Sequence, residues 1–265
     1  MGAWIRKILD LEIGLYGANI CFFLVLSLFP GLVLVLYALG HTAFNAMDLI
    51  DLLQTLVPEA LMPAVERLVV NTWYNSAGAV VPVSAAAALW SASRGVYGLI
   101  TGLNRVYGVR ENRGYFRTRI LSMLWSLVLM AVLAGTLVIH VFGGALVDAL
   151  EHSPGFWHTV VDFRQILLTV TQTAVFALVY TVLPNREGRF SASLPGAAGA
   201  AVGWQIFARA FSIYVRGSSR YLTIYGPVYL MALGMLWLYC CGVILLTGGA
   251  VNRLLEKSKP QEKFS

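Results

Sequence analysis

Charge is scarce in this chain, and its distribution is one-sided. Asp, Glu, Lys and Arg make up 12% of the 265 residues, whereas hydrophobic residues make up 58%. A soluble domain carries about twice that charged fraction, so a mean hydropathy of +0.72 excludes one. Acids are absent altogether from six long apolar runs, at 18–40, 79–103, 120–147, 165–184, 190–215 and 221–252. Cysteine is limited to Cys21, Cys240 and Cys241. With two of them adjacent and no CxxC spacing, they read as small apolar fillers rather than a disulfide or redox pair. His41, His140, His152 and His158 form no metal-ligand spacing, and no HExxH, GxSxG, P-loop or GxGxxG occurs. No catalytic residue, metal ligand or cofactor is therefore expected.

The apolar runs themselves set the fold class. About 20 residues at about 1.5 Å each cross the ~30 Å hydrocarbon layer, and each run is continuous rather than alternating, which argues against a β-barrel. The expectation is an all-α, six-helix membrane domain over 1–256 with a disordered basic tail at 257–265. The first run is too long for a signal-peptide core, and Asp10 and Glu12 interrupt the basic stretch before it. It reads as a retained anchor.

Basic residues near span ends stay cytoplasmic. With the N-terminus inside, the inner segments hold Arg6, Lys7, Arg105, Arg110, Arg113, Arg117, Arg119, Arg186, Arg189, Arg253, Lys257, Lys259 and Lys263. Only Arg67, Arg164, Arg216 and Arg220 fall outside. Both termini are expected in the cytoplasm. The net charge of +6 then belongs to an inner rim facing anionic headgroups. Membrane lipids, not nucleic acid, are the partners this implies.

Within this frame several local patterns stand out. Trp4, Ile8, Leu11 and Leu15 predict an interfacial helix over 1–15. Pro30 should bend the first span and free the carbonyl of Leu26. Segment 41–78, with one apolar face and breaks at Pro58 and Pro63, reads as a helical cap over the outer face. Ser84, Ala88, Ser91, Gly95, Gly98 and Gly102 form a ladder of small residues along one helix face, which allows close approach of a neighbouring helix. Gly98-x3-Gly102, and Gly199-x3-Gly203 in the fifth span, are its tightest forms. Tyr225-Gly226-Pro227 predicts a non-helical start to the sixth span, with regular helix beginning near Pro227.

Two spans contain a charge, Arg94 and Arg209. A central arginine costs ~2.5–3.5 kcal/mol on insertion scales, so it faces the bundle and finds a partner. Without acids in the spans, the simplest partner is excluded. Counting from the span ends places Arg94 level with Leu26. Arg94 is thus expected to cap the broken turn of the first span, beside Ser27. It serves there either as a helix clamp or as an anion or lipid-phosphate site. Arg209 either snorkels to the outer interface or continues a staircase of cations from Arg94.

The stretches Ser27-Leu28-Phe29-Pro30, Gly102-Leu103-Asn104-x2-Tyr107-x3-Glu111-x-Arg113, Leu183-Pro184-Asn185, Leu194-Pro195-Gly196 and Phe211-x2-Tyr214 carry a resemblance, together with Tyr225-Gly226, Trp237-Leu238-Tyr239 and Gly248-x3-Asn252. Over roughly 4–255 the chain resembles the YihY/virulence factor BrkB family. Where that family commonly has a glutamate near the end of its last span, this chain has Ala250. The resemblance implies a bacterial inner-membrane protein with six spans, and it marks Arg94, Asn104, Tyr225 and Asn252 as candidate site residues without assigning them roles. Asn104 and Asn252, at span ends, read more readily as helix-end or interhelical hydrogen bonders than as catalytic groups. The expected function is a transporter or lipid translocator for an anionic amphiphile, without its own ATPase. The alternatives are a scaffold for envelope integrity, working as a homo-oligomer or with an envelope protein, and a membrane enzyme, which the family's old ribonuclease label would imply.

Overall fold

A computed structural model describes residues 11–40, 80–149, 156–217 and 219–258, plus isolated helical positions between 47 and 70, with side chains given for part of them. The described residues are all-helical: α1 (Ile13–Gly40), α2 (Val80–Tyr107), α3 (Tyr115–Ala149), α4 (Phe156–Val182), α5 (Phe190–Gly217) and α6 (Ser219–Ser258). Most of the predicted interfacial helix, the outer cap at 41–78 and nearly all of the basic tail lie outside them. Tyr115–Val132 and Val228–Glu256 are long and apolar enough to cross a membrane, and Ile13–Leu28 and Thr169–Val182 are shorter apolar stretches.

The outside of the bundle is apolar and part of its inside is polar. Phe22, Leu28, Leu127, Val170, Ile206 and Val228 are exposed, while Ser91, Ser93, Asn104, Ser122, Ser126, Ser193 and Asn252 are buried. Lipid rewards this arrangement, because interhelical contact there depends on close packing and hydrogen bonds rather than on a hydrophobic drive. Ser93, Ser122 and Ser126 satisfy themselves by donating to carbonyls three or four residues back, Trp90, Thr118 and Met123.

Helix α1 packs chiefly on α2 and α6, α2 also on α3 and α6, and α5 on α4 and α6. The ladder on α2 works as its spacing predicts. A methyl group added at Gly98 would meet Asn19 Oδ1 at 2.5 Å, and one at Gly102 would meet Leu246 at 2.9 Å and Tyr16 at 3.1 Å. Gly95 faces Leu24 at 3.4 Å. These pairs fix an antiparallel register of α1 on α2.

The second predicted pair is corrected. Among the described residues, a methyl added at Gly199 would meet nothing within 4 Å, and one at Gly203 would meet only Ile244 at 3.7 Å. The close approach of α5 to α6 occurs at Gly196 instead, where an added methyl would collide with the Gly248 carbonyl and with the Asn252 amide. The buried face of α5 runs through Ser193, Gly196, Ala197, Ala200 and Ala201. Gly199 stands off that face, so a spacing of four was right and the phase was not.

Helix α1 continues through Pro30. In α6 the break falls at Gly226, with φ 49° and ψ −126°, and helix stands on both sides of it. Only glycine visits that region readily. The helix before it, from Ser219, was not expected.

Candidate functional site

The midsection of α2 holds Arg94. Arg94 lines a cavity of about 290 Å³ between α1 and α2, with Leu15, Tyr16, Asn19, Phe23, Tyr97 and Thr101. Its guanidinium carbon lies 5.6 Å from the Phe23 ring centroid and 5.9 Å from that of Trp90. Its Nε is buried without a hydrogen-bond partner.

The expected cap on Leu26 is not formed. Ser27 donates to the Leu24 carbonyl of its own helix at 2.7 Å, and no bond joins Arg94 to Leu26 or Ser27. The register explains it: Gly102 lies against Tyr16 and Gly98 against Asn19, which brings Arg94 to Phe23, almost a turn short of Leu26. Counting from span ends assumed that the helices end level.

Aromatic faces attract a guanidinium by ~0.5–1 kcal/mol when exposed and ~2 when desolvated. Two rings near the 6 Å limit offset about 2 kcal/mol of the ~2.5–3.5 kcal/mol insertion cost.

Arg209 is exposed on α5 and does not line this cavity. The staircase is absent from the described cavity, and Arg209 is left with the interfacial reading. Tyr225 immediately precedes the Gly226 break.

A second polar cluster gathers the motif residues at one end of the bundle. Asn104 Nδ2 donates to Glu111 Oε2 at 2.8 Å, while its Oδ1 accepts from the Asn185 backbone N–H at 2.8 Å. Glu111 also accepts the Arg113 N–H at 3.1 Å, and Arg113 donates to the carbonyls of Leu183 and Pro184 at 3.3 and 3.2 Å. Asn185 Nδ2 returns to the Arg110 carbonyl at 3.1 Å. The α2–α3 and α4–α5 connections are thus tied to each other.

Asn252 ties the adjoining helix pair. Its Oδ1 accepts from Gly196 N–H at 2.6 Å and its Nδ2 donates to Ser193 carbonyl at 2.9 Å. Nearby, Tyr180 donates to the Leu245 carbonyl at 2.6 Å and Arg253 to that of Val106 at 2.6 Å. Arg186 pairs with Glu256 at 2.6 Å and stacks on Tyr107, 3.6 Å from its centroid. Arg105 meets Glu12 at 3.7 Å, an exposed pair that adds little.

Asn104 and Asn252 are thus engaged by protein groups: Asn104 bonds to the two connections, and Asn252 joins α6 to α5. Glu111 follows Asn104 by seven residues in the same motif, whereas nothing in the spacing announces the pairing of Glu256 with Arg186, 70 residues away.

Sequence reading missed Arg119. Counted with the inner rim, it is in fact 8% exposed, and its guanidinium carbon stacks 4.0 Å from the Trp90 centroid. Its Nη2 donates to the Trp90 carbonyl at 3.3 Å, and its Nε is buried and unpartnered. Among the described residues, no group of three or more His, Cys, Asp or Glu converges as a metal site would require.

The comparisons agree with this picture of a membrane helix bundle. The chain is 30% identical over 247 residues to a protein of Bacillus subtilis named as ribonuclease-like, YfkH, covering 92% of this chain and 90% of the relative. It is 26% identical to a UPF0761 membrane protein of Photobacterium profundum, over 96% and 80% of the two chains. A UPF0761 membrane protein of Vibrio vulnificus is 26% identical over 77% of this chain and 64% of its own length. No solved structure matches. The family model described as virulence factor BrkB matches residues 4–264, and the chain belongs to that family of membrane proteins.

Proposed function

We propose that this protein crosses the bacterial inner membrane six times and carries an anionic amphiphile across or within it, with the anionic group held at Arg94. One observation carries the reading: a guanidinium with a buried Nε that has no partner among the described residues lines a cavity between α1 and α2, beside the Phe23 and Trp90 rings and without a carboxylate in the lining. Fixed protein charge of this kind, without a carboxylate, favours a guest that brings the negative charge. Tyr16, Asn19, Tyr97 and Thr101 give the cavity a polar lining, and the apolar exterior beside it suits acyl chains. The six-pass layout is supported by the gathering of Glu12, Arg105, Arg113, Arg186 and Arg253 at one end of the bundle.

The test is reconstitution in vesicles containing fluorescent phosphatidylglycerol, with reducing quencher added outside. The wild-type protein should expose inner-leaflet label to the quencher, and Arg94→Ala should lose most of that activity while folding normally. Arg94→Lys should retain a part, because a point charge still attracts an anion but forms no fork. Equal activity in wild type and Arg94→Ala would refute the site. Stoichiometric capture of an envelope protein with no lipid movement would favour a scaffold, and RNA cleavage by the purified chain would favour the activity named for the Bacillus relative.

A further inference from the structure

We infer that Arg94 and Arg119 together form a two-cation receptor for a phosphate monoester, arranged around the Trp90 indole. The inference rests on the anion reading of Arg94 and adds to it a second cation and a charge preference. Both guanidinium carbons lie beside one ring, at 5.9 and 4.0 Å from its centroid, and hence no more than about 10 Å from each other. A phosphate bridges two arginines when each guanidinium donates to a different oxygen.

Three features point to a ligand rather than to packing alone. Each arginine keeps a buried Nε with no partner. None of the ion pairs among the described residues involves either of them. Arg119 is more than nine-tenths buried, so its charge is held in place by the stack on Trp90 and by the bond to the Trp90 carbonyl. Two like charges fixed this close repel one another, and a dianion neutralises both where a monoanion leaves one positive charge uncompensated. Trp90 is half exposed on the bundle surface, so a headgroup can reach the site sideways from the bilayer.

The shared chemistry is the dianionic phosphate, borne by a lipid such as phosphatidic acid or by a free ion. The test is thermal melting of the full chain in neutral detergent, titrated separately with dioleoyl phosphatidic acid, dioleoyl phosphatidylglycerol and inorganic phosphate. Phosphatidic acid should stabilise at lower concentration than phosphatidylglycerol. A shift with phosphatidic acid alone assigns the site to a lipid headgroup, and a matching shift with inorganic phosphate assigns it to the phosphate group as such; either supports the receptor.

Arg119→Gln should weaken the apparent affinity for the monoester about ten-fold, equivalent to one charge-assisted hydrogen bond, and that for the diester much less. If that variant does not fold, Arg119→Lys serves, since an ammonium cannot keep the planar stack and still reach the anion. An unchanged monoester preference in the folded variant, or no preference in the wild type, overturns the two-cation receptor. Lipid transport dependent on Arg94 would stand in either case.

Discussion

Replacing Gly196 by alanine perturbs the closest approach of two helices in the bundle. The new methyl has no room: the Asn252 Cγ and Oδ1 would each lie 2.5 Å away, and the Gly248 carbonyl nearer still. Either α5 and α6 separate or Asn252 leaves its place, and in the second case the bonds to Gly196 and Ser193 break. Overpacking costs about 1–3 kcal/mol and a buried polar group left without its partner about 1–3 kcal/mol more. A total near 4 kcal/mol lowers the melting temperature by roughly 8–16 °C at about 2–4 °C per kcal/mol. The control is in the same helix. Gly199 has open space, so Gly199→Ala should be neutral or stabilising by about 0.5–1 kcal/mol, as alanine favours the helix. The assay is thermal unfolding of both variants in one detergent, read by intrinsic tryptophan fluorescence. Equal melting temperatures for the two variants would refute the assigned helix contact.

Other perturbations probe the remaining parts. Single cysteines at Glu12, Arg110 and Glu187 should label with an impermeant maleimide from one side of the membrane only, the cytoplasmic side; labelling from opposite sides would break the six-pass layout. Arg113→Lys should lower stability by about 1–2 kcal/mol in a melting assay, because a single ammonium cannot reach the Leu183 and Pro184 carbonyls together. Asn252→Asp places a carboxyl group at a site with 0% exposure. The aspartate has no amide N–H for the Ser193 carbonyl and should lower stability by about 1–3 kcal/mol; a melting temperature equal to wild type would contradict that bond.

What could be read from sequence was whatever a single helix encodes. The ladder from Ser84 to Gly102 is long enough for its phase to be unambiguous, and Gly98 and Gly102 do meet α1. Two glycines alone, Gly199 and Gly203, do not fix a phase, and there the choice of face failed. Tyr225-Gly226-Pro227 marked the break in α6 because only glycine suits that backbone. Contacts between helices were another matter. The partner of Arg94 depends on the offset of α1 along α2, which no span boundary reveals. Arg119 looked like rim charge because it stands four residues into α3, yet its side chain lies on Trp90. Asn104, Glu111 and Arg113 were visible in one motif and Asn185 in another, but only folding shows that they close one loop upon another.

The touch point of α5 and α6 has a mechanical consequence. Two backbones meet at Gly196 and Gly248, and one amide clasps both sides, so neither helix can slide past the other without losing Asn252. That leaves rotation as the inexpensive relative movement, with the contact as its fulcrum. The far end of α5, Gly217, is 21 residues away in sequence, a lever arm of about 30 Å at about 1.5 Å per residue. A tilt of roughly 5° at the fulcrum would sweep that end through about 3 Å over such an arm, enough to widen or narrow a gap by a methyl group's breadth.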